Sequence, residues 1–256
     1  MGVHIASGPM NILAFDTCFA ACSAAVAMAH DPGEIALERL HGRFEPMEAG
    51  HAERLVPMIG EVMAAAGLGF ANLDRISMTH GPGSFTGTRI SVAAARALAL
   101  SFCVDVVAVS SLAVMAEQAA RSLVSPLQAA RNTGPGEASL LIAVDARRGE
   151  VYVQQFHSGG ADPVTEPLLL PAHEAAALGG AAPLIVAGSG AAAVVEAANA
   201  SGRRATAHLP NLLPDARDLC RLAATMQPGP SAIKPLYLRP ADARPQTGKS
   251  IERATT

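Results

Sequence analysis

The sequence predicts an α/β protein whose two halves repeat one arrangement of strands and helices. Half of the 256 residues are apolar and only 16% are charged, so the chain can bury a large core. Strand-like apolar runs alternate with segments of helical period, as in α/β folds. A group of strands followed by helix, strand and helix occurs twice, and we place the boundary between the halves near Ser110.

The first half begins with strands joined by short turns, which predicts an antiparallel meander. An apolar stripe of helical period follows and ends at Gly67, a typical helix C-cap. The predicted order is strands 11–16, 21–30 and 34–43, helix 51–66, strand 73–79, helix 86–100 and strand 104–109.

The second half repeats this organisation and ends with a helix capped by Asp215. The predicted order is helix 112–123, loop 124–137, strands 140–145 and 150–157, edge strand 168–170, helix 173–178, strand 184–187, a helix from Gly190 to about 200, and helix 215–226. We assign residues 11–110 to an N-terminal subdomain and 111–240 to a C-terminal one, with the last helix able to return to either. We expect flexible ends at 1–10 and 241–256.

The composition excludes several functional classes. The net charge is −3, the pI is about 6.2, and only two of the 19 basic residues are lysines, so no nucleic-acid footprint is visible. No apolar run reaches the length of a membrane span. The four cysteines lack the spacing of a zinc site, and with no signal peptide they predict free thiols in a cytoplasmic protein.

A glycine-rich turn links the strand ending at Thr79 to the next helix. It consists of Gly81, Pro82, Gly83, Ser84, Phe85, Thr86 and Gly87. Ser84 or Thr86 can cap the helix, whose free N–H groups could receive an anion. The glycines could equally let the helix pack closely against a neighbour. The spacing excludes a dinucleotide-binding motif, and the residues alone leave both interpretations open.

Two further sites lack the residues that their chemistry would need. Asp16 ends the first strand, but Thr17 follows it where a phosphate-binding turn would have glycine. His51 begins a helix, and Leu55 occupies the position of the second histidine of a metal-binding helix. We therefore interpret Asp16 as structural and His51 as a capping or interface residue.

Other motifs carry weaker signals. Gly188 and Gly190 precede a helix, as in an adenosine-binding turn, but strand-to-helix glycines are common. Asp145 and Glu150 flank a hairpin turn and are interpreted as solvated turn residues. We predict no Ser-His-Asp set, cofactor site or metal site.

Six ordered segments of the chain resemble the TsaB family, also called YeaZ. They are 12–17 (ILAFDT), 51–59 (HAERLVPMI), 81–90 (GPGSFTGTRI), 109–112 (VSSL), 144–152 (VDARRGEVY) and 235–239 (PLYLR). The resemblance spans about residues 11–240. The chain departs from the family pattern at Thr88, often leucine, and at Ser91, often glycine.

The resemblance implies an actin-like (ASKHA, ribonuclease H-like) fold of two related subdomains, with mixed sheets flanked by helices. It also implies a role in forming threonylcarbamoyladenosine beside the anticodon of tRNA. In this family the protein is a non-catalytic partner that TsaD, the threonylcarbamoyltransferase, requires for activity. The ATPase TsaE joins the complex, tRNA binds only through the complex, and the subunit can form a homodimer when alone. An actin-like ATP-binding enzyme and a glycoprotease-like metallopeptidase remain as alternatives.

The resemblance places the contact with TsaD on the helices of the N-terminal subdomain. Both helices are rich in alanine, methionine and leucine, which suits an apolar interface. The predicted interface residues are His51, Leu55, Met58, Ile59, Val62, Met63, Thr86, Arg89, Ile90 and Ala93. The turn of residues 81–87 would then set the position of a partner-binding helix.

Overall fold

The computed structural model describes residues 10–31, 34–130, 138–157, 160–229 and 233–239. These residues form two five-stranded mixed sheets with helices packed against them. The ends predicted to be flexible lie outside the described residues, apart from Met10, which begins the first strand.

The first sheet is built from the meander and two parallel strands. Its strands lie in the order β3-β2-β1-β4-β5, with β2 antiparallel to β1 and β3, and β4 parallel to β1 and β5. Residues 12–15 of the central strand β1 are a continuous apolar run because both faces of the sheet are covered. The elements are β1 (Met10–Asp16), β2 (Ala21–Asp31), β3 (Glu34–Pro46), α1 (His51–Ala65), a 3₁₀ turn (Phe70–Asn72), β4 (Arg75–Thr79), α2 (Phe85–Phe102) and β5 (Asp105–Val109).

The second sheet has the same strand order and the same strand directions. It runs β8-β7-β6-β9-β10, with the hairpin of β6 and β7 in the place of β1 and β2. The elements are α3 (Ser111–Ala130), β6 (Ser139–Asp145), β7 (Glu150–Phe156), β8 (Leu168–Pro171), α4 (Ala172–Ala175), β9 (Leu184–Ala187), α5 (Ala191–Ala200), β10 (Ala205–His208) and α6 (Ala216–Thr225).

Three local predictions were wrong. The loop predicted from residue 124 is helical as far as Ala130, because alanine, leucine and glutamine favour helix and Pro126 does not end it. Strand β10 was not predicted, since four residues are too few to show a period. The helix predicted over 173–178 is only Ala172–Ala175.

Helix α6 returns to the first sheet. Its buried face, which includes Leu219, Cys220 and Ala223, packs in one cluster with Ile12 of β1 and Val109 of β5. The Arg75 guanidinium at the start of β4 donates hydrogen bonds to the Ala223 and Met226 carbonyls and so holds the end of α6. The opposite face of the same sheet is covered by α1 and α2. The first sheet therefore lies between two helical layers, one of which comes from the end of the chain.

Candidate partner-binding site

The glycine-rich turn packs directly on the loop that follows β1. A Cβ atom at Gly87 would lie 1.9 Å from the Thr17 carbonyl oxygen, and one at Gly83 would lie 2.4 Å from the Cys18 carbonyl oxygen. Both distances are far inside van der Waals contact, so only glycine fits at either position.

Hydrogen bonds tie the same two segments together. The Ser84 backbone N–H donates to the Cys18 carbonyl at 2.7 Å, and the Thr17 hydroxyl donates to the Gly87 carbonyl at 2.7 Å. Ser84 is the N-cap of α2, and its hydroxyl accepts from the Gly87 N–H at 3.0 Å. The residue types of this turn are thus accounted for by close packing and capping.

Asp16 lies beneath this joint and is fully buried. Its Oδ1 accepts hydrogen bonds from the Thr79 hydroxyl and the Cys18 N–H, whereas Oδ2 has no hydrogen-bond partner among the described residues. Burial raises the pKa of the Asp16 carboxyl to about 7, and the bonds from Thr79 and Cys18 offset only part of that effect. Much of this carboxyl is therefore protonated at neutral pH, which suits a structural group better than a ligand for a cation.

Five of the predicted interface residues on α1 belong to the protein's own core. Each is at most 2% exposed and packs against the first sheet; they are Leu55, Met58, Ile59, Val62 and Met63. The prediction was wrong because periodicity identifies an apolar stripe but not the surface that covers it. His51 was also misassigned, since its side chain is buried and its Nε2 lies 2.9 Å from the Phe19 carbonyl.

The sides of α1 and α2 turned away from the first sheet expose small and apolar residues, with the charged residues Glu53, Glu61, Arg89 and Arg96 exposed beside them. Val56 is 67% exposed and Leu100 is 85% exposed. Between them the two adjacent helices expose Pro57, Gly60, Ala64, Ala93 and Ala97. We call these seven residues the α1/α2 face. Of the residues predicted earlier, Ala93 lies on it, Thr86 and Arg89 are exposed near the start of α2, and Ile90 is half-buried.

A cleft of about 1010 Å³ separates the ends of the two sheets. The loop after β1, the starts of α1 and α2 and the β6–β7 turn line it, with Phe85, Tyr152, Arg147 and Arg239 among its side chains. Arg239 donates to Glu150 at 2.5 Å, and this ion pair could not be predicted from the sequence because 89 residues separate the partners.

The remaining candidate residues serve the fold. A Cβ atom at Gly188 would lie 2.4 Å from the Ala143 carbonyl oxygen, to which Gly190 N–H donates at 2.9 Å, so this turn is also a tight joint. Asp145 is exposed and accepts a hydrogen bond from the Arg147 N–H in the hairpin turn. In the described part of the chain, no three His, Cys, Asp or Glu residues are placed to hold a metal ion. No helix there is both long and apolar enough to cross a bilayer.

The two sheets have the same strand order, each begins with an antiparallel meander, and a cleft lies between their ends. This arrangement places the chain in the actin-like (ASKHA) class of α/β proteins. Solved structures agree with this arrangement. A Pseudomonas aeruginosa protein described as similar to peptidase YeaZ is 30% identical, with a TM-score of 0.71 over 90% of this chain and 100% of that one. YeaZ from the same organism is 31% identical, with a TM-score of 0.67 over 84% of this chain and 90% of that one.

The sequence comparisons give the family. The model of the family described as TsaD, tRNA N6-adenosine threonylcarbamoyltransferase, matches residues 45–180, just over half of the chain. The Escherichia coli tRNA threonylcarbamoyladenosine biosynthesis protein TsaB is 33% identical over 147 residues, which are 57% of this chain and 55% of that protein. The chain therefore spans about half the length of the curated TsaB proteins that it matches. It belongs to the TsaB/YeaZ family.

Proposed function

We propose that this chain is the non-catalytic subunit that binds and activates the TsaD threonylcarbamoyltransferase. The complex of the two proteins would form N6-threonylcarbamoyladenosine beside the anticodon of tRNA, in keeping with the name of the Escherichia coli relative. The observation that carries the partner role is the α1/α2 face, a strip of exposed small and apolar residues on two adjacent long helices.

The chemistry of the α1/α2 face suits close packing with helices of another protein. Gly60, Ala64, Ala93 and Ala97 let helix backbones approach closely, while Val56 and Leu100 protrude to fill depressions on a partner. TsaD is the proposed occupant in the active complex, which TsaE would join. A second copy of this chain could use the same face when TsaD is absent.

The glycine-rich turn favours a structural role for this part of the chain over a catalytic one. The loop of Thr17 and Cys18 takes the space that the glycines of the turn leave open, and burial raises the pKa of the Asp16 carboxyl to about 7. The turn would then act by fixing the start of α2 and, through it, the α1/α2 face.

A matched pair of neighbouring residues tests the position of the interface. Ala64 is exposed and Met63 is 2% exposed, so Ala64→Asp should keep the fold and abolish binding to TsaD, whereas Met63→Asp should unfold the protein. Circular dichroism checks folding, and co-purification with TsaD checks binding. Normal binding by a folded Ala64→Asp variant would show that the interface lies elsewhere.

Reconstitution tests the function itself. TsaD, TsaE, threonylcarbamoyl-adenylate and tRNA are combined with and without this chain, and modified adenosine is measured by mass spectrometry. We expect modification only when the chain is present. Equal modification in its absence would refute the proposal.

The cleft favours one alternative, an ATP-binding enzyme of the actin-like class. Its volume of about 1010 Å³ could hold a nucleotide, and the starts of α1 and α2 both reach it. Calorimetry of the isolated chain with ATP and magnesium distinguishes the two functions, because the proposed subunit should show no heat of binding.

A further inference from the structure

Two aromatic rings stack on the surface beside the cleft instead of inside a core. The ring centroids of Phe85 and Tyr237 are 5.1 Å apart at an interplanar angle of 27°, and the residues are 52% and 44% exposed. The guanidinium carbon of Arg89 lies 5.1 Å from the Phe85 ring centroid. The three planar groups together offer an exposed platform to a further planar ring.

The surroundings of this stack are cationic although the whole chain is mildly acidic. Neither α2 nor residues 233–239 contain aspartate or glutamate. Arg89 and Arg96 are exposed on α2, and Lys234 is exposed on the segment that crosses its start. We call Phe85, Arg89, Arg96, Lys234 and Tyr237 the cationic aromatic strip.

The strip is held in place by the fold. The Leu236 N–H donates to the His80 carbonyl at 2.7 Å, and the Arg96 guanidinium donates to the Ile233 carbonyl. At the far end, Arg239 is anchored by its ion pair with Glu150. A platform fixed in this way loses little conformational entropy when a ligand binds.

We propose that the cationic aromatic strip binds a single-stranded segment of the tRNA substrate within the complex. This rests on the function proposed above. Exposed rings beside a guanidinium stack on unpaired bases, and the neighbouring cations attract the phosphates. The carboxylates of Glu48 and Glu53 line the cleft and would repel phosphates, so we expect the RNA backbone to follow the strip and not the cleft floor. Because the net charge is −3, the isolated chain should bind tRNA only weakly at physiological salt.

Substitutions at two positions outside the α1/α2 face test this role, with a third position as the control. Tyr237→Ala removes one ring of the stack, and Tyr237→Phe keeps it. Lys234→Ala removes one cation, and Arg204→Ala is a matched control, since Arg204 is an exposed cation in the other half. Unmodified tRNA is titrated against the chain alone at low salt and against its complex with TsaD. Co-purification with TsaD is measured separately for each variant.

We expect Tyr237→Ala to weaken tRNA binding roughly 5- to 150-fold, the range for loss of one base stack. Tyr237→Phe and Arg204→Ala should bind as the unaltered protein does. Lys234→Ala should weaken binding and reduce the dependence of log affinity on log salt by roughly 0.7 to 1. All variants should still bind TsaD.

Three results would overturn the inference. Unchanged tRNA affinity in every variant would exclude an RNA contact. Loss of TsaD binding by Tyr237→Ala would make the strip a protein interface. An equal effect of Arg204→Ala would indicate non-specific charge. If the unaltered chain fails to bind TsaD, the proposed function is wrong, but the titrations of the chain alone still test the strip.

Discussion

The buried carboxyl of Asp16 should make the protein less stable as the pH rises from 4 to 7. In the unfolded chain this carboxyl has its ordinary pKa of 3.8, and in the folded protein burial raises the pKa to about 7. Between these values the unfolded state releases the proton while the folded state keeps it, so unfolding is favoured with increasing pH. The stabilisation of the folded state by the neutral Asp16 carboxyl is complete below pH 4 and is lost between pH 4 and pH 7. Above that range the free energy of unfolding no longer changes with pH through this group.

The size of the effect follows from the pKa difference. A difference of about three pKa units lowers the free energy of unfolding by about 4 kcal/mol over this pH range, at about 1.4 kcal/mol per unit. Asp16→Asn cannot ionise, so this dependence on pH should disappear in the variant. Its amide oxygen can still accept from Thr79 and Cys18, and any loss from its unpaired amide hydrogens is independent of pH.

Urea unfolding at intervals from pH 4 to pH 8 measures the effect. The difference in free energy of unfolding between the variant and the unaltered protein should move by about 4 kcal/mol in favour of asparagine over this range. Asp162→Asn, at an exposed carboxyl, is the matched control. A constant difference between Asp16→Asn and the unaltered protein would refute the argument that this carboxyl is kept protonated by burial.

Two other substitutions test the packing. Gly87→Ala should destabilise the protein by at least about 3 kcal/mol, because the new Cβ would overlap the Thr17 carbonyl. Gly60→Ala is its control, because the new Cβ meets open space and should stabilise α1 by about 1 kcal/mol. Similar thermal unfolding of the two variants would contradict this prediction. Arg203→Lys should cost about 2 kcal/mol, because the guanidinium donates to the carbonyls of Ala176, Leu178 and Ala182 and an ammonium group cannot reach all three. Arg204→Lys is its control, and an equal loss of stability in both variants would refute the stated role.

The sequence predicted the order of the elements well because each long segment has a clear period. The apolar run before Asp16 and the helical stripe that begins at His51 depend on local spacing, which is visible without a structure. The glycines at 83 and 87 also indicated close approach, but only the structure identified the backbone of Thr17 and Cys18 as the neighbour.

The candidate site could be predicted only in part, since exposure depends on contacts between distant segments. Leu55 and Met58 look as suitable for a partner as Val56, and only the packing of α1 on the first sheet separates buried from exposed residues. The stack of Phe85 on Tyr237 joins residues 152 positions apart and could not be found from spacing. The interface residues that remain, Thr86, Arg89, Ile90 and Ala93, stay a prediction.

The return of α6 to the first sheet affects how the protein can be made. During synthesis the first sheet emerges early, yet the residues that cover one of its faces, such as Leu219 and Ala223, are added more than 100 positions after β5. Until then Ile12 and Val109 lack part of their covering, so a nascent chain exposes an apolar surface that chaperones recognise. The two halves should therefore become stable together, and a fragment that ends near residue 110 should be prone to aggregate.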